Sequence, residues 1–385
     1  MRKLVFLGLA LFFLPLPAHA DPLPEECPKP MPGAAPKGPP AEELLLSHRF
    51  ATGNGLKVAV IDTGVAPHPR LGTVIPGADL IHPAGGNQGA LEDCDGHGTI
   101  VAGIIAGQPD PALQDGLLGI APDAEIIAIR QSSSYLRSQA APQEAAGTIA
   151  TLAAAIHRSL DLGAQVINVS LASCVPASAQ ASLDTRILDD ALSRAEELNA
   201  VVVAAAGNIS PQCPADSVAY PAHSESVLAV SAAQDSYQLA DYSLPVKGQV
   251  VSAPGTVPVG LSPRDGTFAA AMRTSRGESP FSGTSFAAPV VSGVVAQLKQ
   301  RYPSDTAAQT RARVRAAASP GTGDLSPTSA MSQLLSASAP HPVAIDAPKP
   351  SSQAVRNRAI LVSIALLGLG IVAATLFCAV SRAAR

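Results

Sequence analysis

Four residues of this 385-residue chain have the types and settings that nucleophilic catalysis needs. Ser285 lies in SGTSFAAP, residues 282–289, ahead of a long apolar run. A serine there is an ordinary helix cap. It is a nucleophile only if a base takes its proton and a carboxylate orients that base. His97, in DGHGT, sits between two glycines at the start of another apolar run, where the missing side chains leave room for close backbone approach. Asp62 ends the apolar run KVAVID and precedes Thr63-Gly64, suited to a tight turn; Asn208 follows Gly207 at the end of VVVAAAG. Singly, each has a plain structural reading as cap, core histidine, turn former or loop cap. Jointly they offer a nucleophile, a base, an orienting acid and an amide donor, each at the end of an element.

The elements that must carry them read as α/β. KVAVID (57–62), IIAIR (126–130), VINVSL (166–171), VVVAAAG (201–207) and VLAVSA (227–232) are near-continuous apolar runs, as strands buried on both faces of a parallel sheet should be. Helical periodicity alternates with them, over 148–162 and from near Gly98. In LDTRILDDALSRAEEL the residues Ile187, Leu188, Ala191, Leu192, Ala195 and Leu198 form one stripe, expected in the core. The pattern predicts a mostly parallel sheet with helices on both faces and sites at the carboxyl ends of its strands. Two segments, 131–147 and 257–280, read as long loops.

The chain ends carry their own signals. Residues 1–20 have Arg2 and Lys3, an apolar run and the small-x-small sequence Ala18-His19-Ala20, a secretion signal. Residues 21–49 form a proline-rich extension unsuited to helix or central strand at its start. The core domain is expected over 50–318, a flexible linker over 319–358, and a membrane-spanning helix over 359–380. That uncharged helix would measure about 33 Å, enough to cross the lipid bilayer. A short cytoplasmic tail, 381–385, would follow, with the main body on the extracytoplasmic side by virtue of the signal. The net charge of −4 carries no basic excess, which argues against a nucleic-acid partner. Cys27, Cys94, Cys174 and Cys213 lie in the exported part, an even number that fits two disulfides in any of three connectivities. Cys94 and His97 spell half a zinc site, but no second pair with ligand spacing follows, so no metal and no cofactor is expected.

In VAVIDTGV, DGHGTIVAGIIAG, INVSL, VVVAAAGN, YPAHSESVLAVSA and SGTSFAAPVVSGVVAQL, over roughly residues 50–315, the sequence resembles the subtilisin-like serine peptidases. VIDTGVAPHPRL, EDCDGHGT, IRQSS, the cysteine-bearing arm and the C-terminal anchor make it look most like the mycosins, the membrane-anchored proteases of type VII secretion systems. The resemblance implies a subtilisin-like fold, with Ser285 as nucleophile, His97 as base and Asp62 as the acid that orients it. It implies an oxyanion hole from the Asn208 amide and the Ser285 backbone N–H. It makes Ser170, Leu171 and Ala172 a substrate-binding edge, and pairs Cys27 with Cys94 and Cys174 with Cys213. Only about 37 residues separate the signal from Val58, too few for a folding propeptide domain. The implied partners are exported protein substrates and a membrane-embedded secretion complex. The alternative is a structural subunit of that complex whose proteolysis is dispensable.

Overall fold

The computed structural model describes residues 27–110, 112–113, 115–137, 147–275, 277–334 and 353–383. The expected secretion signal, residues 21–26 of the arm, most of the 131–147 segment, residues 335–352 of the linker and the last two residues of the tail lie outside these. The chain divides into a body ending at Leu335 and a C-terminal unit from Ser336, each taken by itself.

The body begins with strand β1 (Lys29–Gly33), helix α1 (Glu42–His48) and strands β2 (Lys57–Asp62) and β3 (Val74–Asp79). Helix α2 (His97–Ala106), strand β4 (Glu125–Arg130), and helices α3 (Ser134–Arg137) and α4 (Ile149–Asp161) follow. Then come β5 (Val166–Val169), β6 (Ser173–Val175), α5 (Ala177–Gln180), α6 (Arg186–Glu197), β7 (Val201–Ala205) and β8 (Val218–Tyr220). Strands β9 (Leu228–Asp235), β10 (Gln238–Leu239), β11 (Ser252–Pro254), β12 (Thr256–Val257) and β13 (Gly260–Leu261) lead to the hairpin β14 (Phe268–Thr274) and β15 (Gly277–Ser282). Helices α7 (Thr284–Arg301), α8 (Ala307–Ala317) and α9 (Pro327–Ser332) close it.

The main sheet runs β10-β9-β7-β5-β2-β4-β3, parallel from β9 to β3, with β11 beside β9. Alternation along β2 explains its two faces. Val58 and Val60 point into the core that holds α2 and α7, while Ala59 and Ile61 point into the core that holds α4 and α6. Each large side chain so buried contributes about 1.5–3 kcal/mol, so the sheet is covered on both faces and opens to solvent at its strand ends. The subtilisin-like α/β architecture read from the sequence is the one observed.

The structure departs from the sequence reading in four places. On α6 only Leu188, Ala191, Leu192 and Ala195 are buried; Ile187 and Leu198, 52% and 55% exposed, flank the stripe rather than belong to it. Segment 257–280 is no loop but the greater part of an antiparallel sheet, β1-β14-β15-β12, with β13 also on β14. The arm supplies β1 as its edge strand, the place where Pro30 and Pro32 need no ladder donor. Residues 319–334 are not linker: Leu325, Ala330 and Met331 are buried in the main core, and Leu325 N–H donates to Ser252 O. Finally, α10 (Gln353–Ala383) starts before residue 359 and runs past residue 380. Its stretch Arg356–Arg382 is long and apolar enough to cross a membrane.

Two disulfides join Cys27 to Cys94 and Cys174 to Cys213. The first fastens the arm to the loop that leads into α2.

Met331 is fully buried. Met331→Ala is expected to destabilise the body by about 2–5 kcal/mol, read by urea unfolding of the full chain. A loss under about 0.5 kcal/mol, as at a surface position, would return 319–334 to the linker.

Candidate active site

Three strand ends and two helix starts converge on one cleft. Asp62 closes β2, His97 opens α2, and Ser285 is the second residue of α7. His97 Nδ1–H donates to Asp62 Oδ1 at 2.7 Å, and the Ser285 hydroxyl lies 2.9 Å from His97 Nε2. The Phe286 ring, 4.9 Å from the imidazole centroid, packs beside it and limits its rotation. Asp62 has no exposure to water, and Thr63 N–H also donates to its Oδ1. Burial disfavours a charged imidazolium, but the Asp62 charge and hydrogen bond, helped by Asp93 and Asp95, outweigh it and hold the His97 pKa above its ordinary 6.5.

The approach of α2 to β2 needs a residue without a side chain. A Cβ on Gly98 would meet Gly64 O at 2.0 Å and Asp62 Cβ at 3.1 Å. Glycine at 98 therefore sets the Asp62–His97 distance.

Asn208, just past β7, is oriented by Thr284. Its Oδ1 accepts from Thr284 N–H and Thr284 Oγ1–H, each at 3.0 Å, while Thr284 Oγ1 accepts from Gly207 N–H. That turns Nδ2 toward the serine: a Cβ on Gly283 would sit 2.8 Å from Asn208 Nδ2 and 3.2 Å from Ser285 Oγ. The amide and hydroxyl thus face one small space that glycine keeps open. A carbonyl attacked there would develop its negative charge within reach of Nδ2 and of the N-terminus of α7.

Below Ser285 lies a hydrogen-bonded chain. Ser292 Oγ–H donates to Asn168 Oδ1, Asn168 Nδ2–H to Ser170 Oγ, and Ser170 Oγ–H to Ser285 O, all at 2.8 Å. Ser285 O would ordinarily accept from the residue four on, but that residue is Pro289, which has no N–H. Pro289 is the sixth residue of α7, and Ser170 supplies the missing donor. Ser170, Leu171 and Ala172 line the cleft, of about 670 Å³, together with Pro28 of the arm and both Cys174 and Cys213.

Two supporting residues, Thr284 and Asp93, escape the sequence reading, and a third, Thr63, is legible there only as a turn former. Asp93 has no exposure and binds four donors: Thr63 Oγ1 (2.7 Å) and Gly96 N (2.8 Å) at Oδ1, Thr99 N (2.8 Å) and Thr99 Oγ1 (2.6 Å) at Oδ2. Thr63 Oγ1 in turn accepts from Gly98 N–H. Asp93 therefore ties the turn after Asp62 to the turn before His97. Its signal was present in EDCDGHGT, one acid among three.

Residues 53–339 match the subtilase family. The chain is 42% identical to Mycosin-4 of Mycobacterium tuberculosis over 286 residues, covering 70% of this chain and 61% of that one. It is 37% identical to Mycosin-1 of the same organism over 329 residues, covering 77% and 72%. A chain in a solved structure of an intact ESX-5 inner membrane complex superposes with a TM-score of 0.68 at 32% identity, over 94% of this chain and 97% of that one. The chain belongs to the subtilase family of serine endopeptidases. Within that family it is mycosin-like, and it spans about three-fifths of the length of Mycosin-4.

Burial pushes the Asp93 carboxyl up to about 6 against the four donors that favour its charge. A carboxyl raised on folding contributes stability that is full below its unfolded value of 3.8 and lost as pH rises through about 6. Relative to the non-titrating Asp93→Asn, the wild type should therefore lose on the order of 2–3 kcal/mol between pH 4 and 7. Urea unfolding across that range reads the difference; a pH-independent gap would mean that Asp93 is charged throughout.

Proposed function

We propose that this chain is an active serine endopeptidase in which Asp62, His97 and Ser285 act as a unit. The observation that carries this is the hydrogen-bonded line from buried Asp62 through His97 to the Ser285 hydroxyl. Neutral His97 takes the Ser285 proton as Oγ attacks a peptide carbonyl. Asp62 holds the imidazole in the tautomer that leaves Nε2 free to accept and stabilises the imidazolium that forms. Asn208 Nδ2 and the Ser285 backbone N–H receive the oxyanion. His97 then protonates the leaving amine, and water, activated by the same base, hydrolyses the acyl-enzyme.

The protein works at a membrane, anchored through α10 with its body on the extracytoplasmic side, and its substrates are proteins exported by a type VII secretion system. Likeness to mycosins and to a chain of the ESX-5 inner membrane complex supports this setting. The same likeness, with the arm fastened into the body by β1 and the Cys27–Cys94 bond, favours a second reading as a structural subunit of such a complex. The two readings are compatible, and the intact Asp62–His97–Ser285 line puts proteolysis first.

The full chain in detergent should react with a fluorophosphonate probe, and both Ser285→Ala and His97→Ala should abolish labelling. Asn208→Ala should keep its fold and lose on the order of 10²–10³ in turnover. Because the neutral imidazole is the base, activity should rise with pH to a half-maximum above 6.5. A folded wild type that does not label would put the structural reading first.

A further inference from the structure

The sheet itself shows where a peptide could enter. Strand β2 lies between β4 and β5. It stops at Asp62, level with Arg130 at the end of β4 and one residue beyond Ile61, the partner of Val169 at the end of β5. The segments that leave β4 and β5 at that level, at Ser134 and at Ser170, Leu171 and Ala172, border a gap beyond Asp62. Thr63, Ser134 and Ser170 line one cleft around that gap. On its β5 side it leads toward Asn208, and on its β4 side stands Asp95.

Asp95 is built into this wall. Its Oδ1 accepts from Ser134 N–H (2.9 Å) and Tyr135 N–H (3.1 Å), and its Oδ2 from the Ser133 hydroxyl. These donors fix the carboxyl two residues from His97, whose pKa it helps to raise. Asp95 remains partly exposed to the cleft. Among the described residues that line the cleft the only other carboxylate is Glu278, which pairs with Arg273 outside it, and none is a lysine or arginine.

A peptide extended in the gap sends successive side chains to opposite sides. If the residue whose carbonyl is attacked turns toward the Asn208 wall, the one before it turns toward His97 and Asp95. We infer that Asp95 is a specificity-determining residue that selects a lysine or arginine as the second residue on the acyl side of the cut bond. This rests on the proteolytic reading and names its substrate class: exported proteins cut after a basic-then-neutral pair.

The test uses the full chain in detergent and peptide sub-libraries with the second residue before the cut fixed as Lys, Arg, Gln or Glu. Wild type should favour Lys and Arg over Gln about 2–5-fold in kcat/KM, the ratio a partly exposed ion pair supports. Asp95→Asn should bring that ratio near one, Asp95→Glu should restore part of it, and Asp95→Lys should favour Glu. In Asp95→Asn the acid limb of the pH profile should also move to lower pH, since one charge that raises the His97 pKa is gone. Binding of the Lys and Gln sub-libraries to Ser285→Ala gives a readout that needs no turnover. Cleavage without a basic preference would overturn the inference and leave proteolysis standing. No cleavage, with Asp95-dependent tighter binding of the Lys set, would uphold the subsite and sink proteolysis. Neither cleavage nor selective binding would overturn the inference as well.

Discussion

A carboxylate with no exposure to water is the constraint on which the rest of this structure depends. Isolated from partners, a charge buried like that of Asp62 would cost several kcal/mol. Its compensation comes from one imidazole N–H and one backbone N–H, both on Oδ1, while Oδ2 has no hydrogen-bond partner among the described residues. His97 must therefore stay within 2.7 Å, and everything that brings α2 to that distance follows from it. Gly98 removes the side chain that would strike Gly64 O, and Asp93 draws the two turns together through Thr63, Gly96 and Thr99. Asp93 is itself a buried carboxylate, so the polar cost of the site is spread over two acids held by a common loop.

The serine side is fixed by a different device, the repair of a broken helix. Pro289 denies Ser285 O its usual donor, and a buried carbonyl left unpaired costs about 1–3 kcal/mol. Ser170 supplies the replacement, held by Asn168, which is in turn bonded to Ser292 one turn beyond the proline. The proline thereby becomes the reason that β5 and α7 are locked in register beneath Ser285. Ser285 also lies in the first turn of α7, so helix start and proposed nucleophile are one position with two uses. The positive end of the helix then sits where an oxyanion would form.

What the sequence reveals and what it hides follow from this physics. Parallel strands buried on both faces leave apolar runs that little else produces, and β2 is legible to the residue. The β14–β15 hairpin is not, because Phe268–Thr274 has three alanines among its seven residues and no apolar–polar alternation, and β15 carries Pro280 and exposes five of its six positions. Neither looks like a strand until β1 and β12 cover its edges. Residues 319–334 read as linker because Ser, Thr, Gly and Pro dominate them, yet three apolar side chains, Leu325, Ala330 and Met331, suffice to dock the segment. At the site, the four residues in the most stereotyped settings could be picked out, since each sits beside a glycine or at the end of an apolar run. Thr284 and Asp93 could not, because their importance lies in which hydrogen-bond partners they reach across 76 and 30 residues, a tertiary fact with no local period.

The arm shows how an extension too short for a core can still shape a site. Proline excludes Lys29–Gly33 from helix and from the middle of a sheet, which leaves an exposed edge as its place, and β14 offers one. Pairing alone would hold it loosely, because a five-residue edge strand makes few ladder bonds. The Cys27–Cys94 bond closes a loop of 67 residues, and by loop-closure entropy alone that is worth about 4 kcal/mol. Its far end is three residues from His97, so the arm is anchored where its position matters most, and Pro28 lines the cleft beside the proposed catalytic residues. The second disulfide also contributes both of its cysteines to the lining, after β5 and after Asn208. Two covalent ties therefore brace segments that line one cleft, while the Asp62–His97–Ser285 geometry is set independently by hydrogen bonds. A site divided in this way can change what it admits without disturbing the relay at its centre.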